Sequence, residues 1–249
     1  MDDYTHHIPG VMYVTTNIPG VGMNLEDFEA EFAVGCNCNG ECNENCSCVN
    51  GIVNYVGDRL NAGGTADKMI MECHSLCLCS ENCGNRLVQR GPVNSLKTFE
   101  TSNRGLGLLT TKFIAKGQFI CEYAGEVIGL DEAKRRIEEN KMNNQMNYVL
   151  VVLEHFGQKK ITTCIDPKVF GNIGRYCNHS CQPSASLVPV RVERLVPRLC
   201  LFAKKDIEVG EEITFDYADG LDRGRGNFSE TRCLCSASGC TGFLPHHPI

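Results

Sequence analysis

No apolar run in this 249-residue sequence approaches the roughly 18 residues of a membrane-spanning helix. The opening residues, MDDYTHHIPG, lack the basic stretch and apolar run of a secretory leader. Tryptophan is absent, and there is no internal repeat or long low-complexity tract. No G-x-G-x-x-G followed by a crossover helix occurs, so a dinucleotide site is not supported. Positive charge is also short: 24 Lys and Arg against 30 Asp and Glu give a formal charge of -6. Direct nucleic-acid binding is not indicated, because proteins that grip phosphate backbones carry a basic face. A basic partner suits the balance better.

Cysteine, by contrast, is abundant, with 17 residues. A chain without leader or span is read as intracellular, where thiols stay reduced and grouped cysteines point to metal. The first group, Cys36, Cys38, Cys42, Cys46 and Cys48, is spaced C-x-C-x3-C-x3-C-x-C; the second, Cys73, Cys77, Cys79 and Cys83, is spaced C-x3-C-x-C-x3-C. Close pairs set two thiolates on one side of a bend, which suits a tetrahedral ion. Two separate four-sulfur sites strand one of the nine thiols, whereas three zincs need twelve positions and nine sulfurs supply them if three bridge. A disulfide framework and a metallothionein-like zinc store are the alternatives. A third group, Cys233, Cys235 and Cys240, has only three ligands and needs a fourth; Cys181 in NIGRYCNHSCQP is the candidate. Cys121, Cys164, Cys177 and Cys200 remain, in apolar or strand contexts that suit core thiols.

Residues 1–34 form an N-terminal extension with turn signals at Pro9-Gly10 and Pro19-Gly20, expected to be extended or partly disordered. Residues 35–94 are cysteine-dense and must be held by metal. Residues 95–218 carry short β-type runs (LKTFET, GLGLLTT, QFICEYAGEVI, NYVLVVLE, KKITTCID, LCLFAKK, EEITFDYA) that predict a mostly β domain. One helix is expected at 130–140, capped by Asp131 and with its charges on a solvated face. Residues 219–228 read as a mobile linker, 229–249 as a closing cysteine module, and His6-His7 and His246-His247 as solvated tails.

The nine-cysteine order resembles the pre-SET module of suppressor-of-variegation-class SET-domain lysine methyltransferases. NRGLGL (Asn103–Leu108), GRYCNHSC (Gly174–Cys181), EEITFDY (Glu211–Tyr217) and the CTGFLP ending follow in that family's order, and the look is closest to the branch whose SET part is fused to a mariner transposase. The resemblance implies a mostly β fold with short helices, built of several small SET-domain sheets with a pseudoknot and flanked by pre-SET and post-SET zinc modules. It implies four zincs: three on Cys36, Cys38, Cys42, Cys46, Cys48, Cys73, Cys77, Cys79 and Cys83, and one on Cys181, Cys233, Cys235 and Cys240. It also implies S-adenosylmethionine held by Arg104, Gly105, Leu106, Tyr148, Arg175, Asn178 and His179, with Tyr217, Tyr148 and Phe215 at the catalytic centre and Phe243 walling the lysine channel. Two departures stand out: Leu106 where the family often has tryptophan, and Ser184 where it usually keeps asparagine, which puts a local hydrogen bond in doubt.

The implied activity is methylation of a lysine on a histone tail, histone H3 or the nucleosome that carries it, in the nucleus on the chromosome. The pre-SET class implies the ninth residue of that tail and the transposase-fused branch the thirty-sixth. Phe215 stands where a tyrosine hydroxyl would hold a water in the space of an added methyl, so di- or trimethyl-lysine is the expected product. A catalytically silent zinc-rich chromatin-binding module is the alternative.

Overall fold

The computed structural model describes residues 3–49, 51–61, 63, 69–156, 158–218 and 228–245. The N-terminal segment contributes β1 (Met12–Tyr13), β2 (Ile18–Pro19) and the short helix α1 (Leu25–Glu29), whose N-cap Asn24 accepts from Asp27 N–H. The cysteine-rich segment adds only β3 (Tyr55–Val56), β4 (Arg59–Leu60) and β5 (Ile70–Met71). Then come the β6–β7 hairpin (Leu96–Glu100, Leu106–Thr110), β8 (Phe119–Glu122), β9 (Gly125–Ile128), α2 (Leu130–Met142), β10 (Leu150–Phe156) and β11 (Lys159–Gly171). A 3₁₀ turn (Ile173–Tyr176) leads into β12 (Asn178–His179), β13 (Ala185–Arg191), β14 (Arg198–Ala203) and β15 (Thr214–Phe215); β16 (Phe228–Arg232) and β17 (Phe243–Pro245) close the chain.

Two sheets carry the core among the described residues. One has the order β1-β11-β9-β2, with β10 antiparallel to the first half of β11; its register breaks between Asp166 and Gly171, where Pro167 has no N–H to give the ladder. The other has the order β5-β13-β14-β8. Through it the cysteine-rich module is bound to the β domain, because Ile70 and Met71 pair in parallel with Val190 and Arg191. Arg191 is fully buried and forks onto Glu154 of β10 at 2.9 and 2.8 Å, joining the two sheets by a charge pair that neither side could leave unmatched. A third pairing, β12 with β15, is parallel and only two residues long.

Several expectations are corrected. QFICEYAGEVI is two strands, interrupted at Tyr123–Ala124. A strand unread in the sequence runs through Pro189, which pairs with Leu199. Helix α2 extends to Met142, and its N-cap is Gly129, with Asp131 only lending charge to the first turn. Its charged face is not simply solvated: Arg136 bonds Glu126 and Asp166 at 2.8 Å each and Glu132 at 2.7 Å, pinning the helix to β9 and β11. Arg135 and Arg136 together hold the Glu132 carboxyl down to about 2. The linker at 219–227 and His246-His247 lie outside the described residues; Phe228, included in the expected linker, opens β16.

The N-terminal segment is packed on the β domain. Tyr4 Oη donates to Val93 O at 2.6 Å and accepts from Leu96 N–H at 2.8 Å. Asn17 Oδ1 accepts from Gly125 N–H, and Thr16 lies over the buried Glu122 carboxyl at 3.4 Å. Burial pushes Glu122 up to about 7, with Arg198, Thr16 and Asn17 only partly opposing it. The folded chain therefore binds more protons than the unfolded chain between the ordinary carboxyl value of 4.5 and about 7, so this group's contribution to stability falls as pH rises through that window. Glu122→Gln is expected to remove that decline and to be up to roughly 3 kcal/mol more stable than wild type at pH 8 by urea unfolding. Parallel pH–stability curves for the two proteins would contradict it.

Candidate functional site

The nine N-terminal cysteines converge. Cys36, Cys48, Cys73 and Cys77 form one group of sulfurs within 4.8 Å of one another; Cys36, Cys42, Cys46 and Cys73 form a second; Cys42, Cys73, Cys79 and Cys83 form a third. Sulfur separations include Cys36–Cys42 at 3.6 Å, Cys42–Cys73 at 3.5 Å and Cys48–Cys77 at 3.6 Å. These are well beyond a disulfide's ~2.05 Å, and they match the edge of about 3.8 Å that a tetrahedron of sulfurs has around zinc at ~2.3 Å. Cys38 falls outside the three groups, with its thiol beside those of Cys46, Cys42 and Cys36. Backbone donors point at the sulfurs: Cys36 N–H and His74 N–H to Cys77, and Asn85 N–H to Cys83. Such donors favour thiolate. Burial alone would raise Cys36, yet Cys38 N–H and the neighbouring thiols hold it down to about 5.

The chain end forms a fourth group, Cys181, Cys233, Cys235 and Cys240, with Cys181 and Cys233 sulfurs 3.8 Å apart. Cys181 thus lies where the fourth donor that the triad's spacing calls for would stand. The donor chemistry of all four groups fits zinc. Cys121, Cys164, Cys177 and Cys200 are buried in the apolar core.

Cys181 follows β12, whose pairing with β15 sets Asn178 beside Thr214 and His179 beside Phe215. His179 is buried. Its Nδ1 accepts from Tyr217 N–H at 3.2 Å, which leaves the proton on Nε2, 3.4 Å from Cys181 Sγ. Asn178 Nδ2 donates to Leu106 O at 3.2 Å and to Glu212 Oε1 at 2.9 Å, while Glu212 Oε2 accepts from Arg104 at 2.7 Å. One carboxylate therefore ties the Arg104–Leu106 loop to Asn178. Gly107 admits this approach because a Cβ there would lie 2.7 Å from the Phe99 ring and 2.9 Å from Glu212. Gly105 has φ +69°, with open space where its Cβ would be. Arg104 Nε is buried without a hydrogen-bond partner among the described residues. A buried cationic donor next to an open glycine turn suits a ligand that carries a carboxylate.

Phe215 is buried, Tyr217 half-buried, and their ring centroids are 4.9 Å apart; Tyr123 meets Phe215 edge-on at 5.8 Å. Tyr217 Oη donates to Cys177 O at 3.2 Å, and Tyr123 Oη donates to Tyr148 O at 2.7 Å. Burial pushes the Tyr217 and Tyr123 phenols well up, so both keep their protons at neutral pH. The Tyr148 ring lies 4.6 Å from the Arg175 guanidinium, with Tyr176 at 5.1 Å and Arg175 Nε bonded to Pro167 O. Phe243 lies on the β16–β17 hairpin, 41% exposed. Ser184 makes local bonds of its own: its hydroxyl donates to Glu212 O and accepts from Thr214 N–H, securing β15.

Tyr123 and Glu212 belong to this constellation although sequence reading did not single them out. The signals were there: an aromatic between two strand runs in EYAGEV, and the second of two carboxylates before ITFDY.

Residues 105–218 match the SET domain family and residues 1–86 the Pre-SET motif. The chain is 42% identical over 240 residues to a protein named probable histone-lysine N-methyltransferase set-23 of Caenorhabditis briggsae, covering 93% of this chain and 95% of that protein. It is 38% identical over 249 residues to human histone-lysine N-methyltransferase SETMAR, spanning 94% of this chain but 36% of that protein. The crystal structure of the SETMAR methyltransferase domain superposes with a TM-score of 0.84 at 35% identity, covering 97% of this chain and 91% of that one. KRYPTONITE, solved with mCHH DNA, an H3(1-15) peptide and S-adenosylhomocysteine (SAH), matches with a TM-score of 0.73 at 26% identity, over 94% of this chain and 48% of that one. With its cysteine groups, its paired motifs and relatives matched over nearly its whole length, this chain belongs to the SET-domain family of histone-lysine N-methyltransferases.

Proposed function

We propose that this chain is a nuclear, chromosome-associated lysine methyltransferase that uses S-adenosylmethionine to modify the histone H3 tail, with di- or trimethyl-lysine as product. The observation that carries the reading is the β12–β15 pairing, which joins Tyr217, Asn178 and the buried His179 into one partly buried cluster. The H3 peptide and SAH bound by KRYPTONITE support the substrate and cofactor classes.

In this reading Arg104, Gly105, Leu106, Tyr148, Arg175, Asn178 and His179 hold the methyl donor. Arg104 Nε meets its carboxylate, and Arg175 with Tyr148 forms a cationic aromatic wall. His179 has both ring nitrogens engaged within the protein, so it contributes backbone and ring edge. When bound, the donor supplies an electrophilic methyl on a sulfonium. The attacking lysine must be neutral, which costs about 4.6 kcal/mol at pH 7 for a free side chain; a channel walled by Tyr217, Phe215 and Tyr123 excludes water and lowers that cost. Tyr217 and Tyr148 orient the amine through their phenol oxygens, and catalysis is mostly positioning. Phe215 leaves room for a methylated amine to turn and react again.

Three zincs brace this site from the pre-SET side. If Cys38 replaces Cys73 in the second sulfur group, Cys36, Cys42 and Cys73 each bridge two ions, and nine sulfurs fill all twelve positions. The fourth zinc closes on Cys181, Cys233, Cys235 and Cys240.

Native mass spectrometry of the purified chain is expected to find four zincs, and three for Cys181→Ser; two in wild type would undo the cluster assignment. In a labelled-cofactor assay on a histone peptide array, Tyr217→Phe and Asn178→Ala should each lose at least about 100-fold in rate. No labelling by zinc-replete wild type would favour a silent chromatin-binding module instead. Mass spectrometry of the reacted H3 peptide should show di- or trimethyl product for wild type and a shift toward monomethyl for Phe215→Tyr. Monomethyl product alone from wild type at long times would refute the product assignment.

A further inference from the structure

We propose that His6 is a positioning residue for the methyl-donor site, clamping the two walls that hold the Arg175 guanidinium against Tyr148. The inference rests on the reading of Arg175 as a donor-binding residue. Read from the sequence, His6 belongs to a solvated tail. In the structure it is half-buried and both ring nitrogens are engaged: Nδ1 lies 2.7 Å from Tyr176 Oη and Nε2 lies 2.8 Å from Gly171 O. Its ring also meets those of Tyr13 at 5.0 Å and Tyr176 at 5.6 Å, so the imidazole is fixed on two sides.

Both partners touch Arg175. Tyr176 is the buried ring 5.1 Å from the guanidinium, on the same 3₁₀ turn as Arg175. The Gly171 backbone lies against the arginine's stem, since a Cβ built there would be 3.2 Å from Arg175 Cδ. His6 therefore spans the end of β11 and the 3₁₀ turn, and Arg175 sits in the angle between them. β1 anchors the clamp six residues on, where Met12 and Tyr13 pair with Phe170 and Gly171.

The tautomer follows from the partners. A carbonyl oxygen can only accept, so Nε2 carries the hydrogen toward Gly171 and Nδ1 accepts from the Tyr176 hydroxyl. Protonation of His6 turns Nδ1 into a donor, so the Tyr176 hydroxyl must turn its hydrogen away and accept instead, and it sets a second cation beside Arg175. The groups that face His6 are Arg175 and Tyr176 from the 3₁₀ turn, Tyr13 from β1 and His7 on its own segment. Burial lowers the His6 pKa below its ordinary 6.5, and Arg175 and His7 lower it further against the Gly171 bond. The neutral clamp is thus the form present at neutral pH, and acid loads it with a charge that Arg175 and His7 oppose.

The test is calorimetric binding of SAH to the zinc-loaded full chain at pH 8.0 and pH 5.5, for wild type, His6→Ala and His6→Gln. Wild type should bind more weakly at the lower pH, but by less than about tenfold, because a His6 whose pKa lies below 6.5 is only partly charged at pH 5.5. His6→Ala should be about tenfold weaker at pH 8.0 with no further loss in acid. His6→Gln can donate to Gly171 O and accept from Tyr176, so it should match wild type at pH 8.0 and keep that affinity at pH 5.5. Because all three proteins share the same thiolate sites, any zinc loss in acid is common to them. Wild-type affinity in His6→Ala at pH 8.0, or an acid loss in His6→Gln equal to that of wild type, overturns the clamp while leaving the donor site standing. Failure of wild type to bind SAH at pH 8.0 removes the donor-site reading and the clamp with it. If thermal melting shows that His6→Ala does not fold, the comparison of His6→Gln with wild type decides alone.

Discussion

Two residues of parallel strand, Asn178–His179 against Thr214–Phe215, are the contact on which the site depends. Nothing local could hold them, since 34 residues separate Asn178 from Glu212 and the pairing itself is short. It persists because side chains on both flanks are committed to it. Asn178 is fastened to Glu212, Ser184 to the backbone at Glu212 and Thr214, and His179 to the backbone of Tyr217. Each bond is partly or fully buried, where an unmatched polar group costs more than a matched one contributes. The result is a cluster whose members stand or fall together, so that Cys181, Tyr217 and the Arg104–Leu106 loop share one geometry.

Buried charge does the same work at larger scale. Arg191 with Glu154 joins the sheets, and Arg136 with Asp166 and Glu126 pins the helix. Such pairs add little net stability over apolar packing, but a wrong arrangement would strand a charge. They specify which surfaces meet. That suits a protein built of several small sheets, none of which has enough apolar face to define its neighbours alone.

The cysteine groups were legible in the sequence because the chemistry of a tetrahedral thiolate site imposes local spacing, and even the approach of the distant Cys181 to the closing triad follows from counting donors. The GRYCNHSC and EEITFDY motifs were legible through resemblance, and their convergence is seen in His179 touching Tyr217. What sequence reading missed has one cause: its partner lies far along the chain. Arg136 reads as a surface charge until Asp166 arrives from β11. His6 reads as a tail residue until Gly171 and Tyr176 close on it. The strand through Pro189 reads as a loop because proline cannot donate to a ladder, although its carbonyl and its neighbours still pair. Asp131 fails as a cap for a smaller reason, since the helix starts two residues too early to use it.

Cys73 belongs to all three sulfur groups, and it stands two residues after β5, whose Ile70 and Met71 are laddered to Val190 and Arg191. A single residue, Glu72, whose N–H bonds Arg191 O, thus separates the centre of the cysteine module from the sheet that ends in β8 and Tyr123. The two cannot come apart by hinge motion, as tethered domains can. They form one cooperative unit of opening, so slow hydrogen exchange in β13 and β14 would report on the state of the sulfurs as faithfully as on the sheet itself.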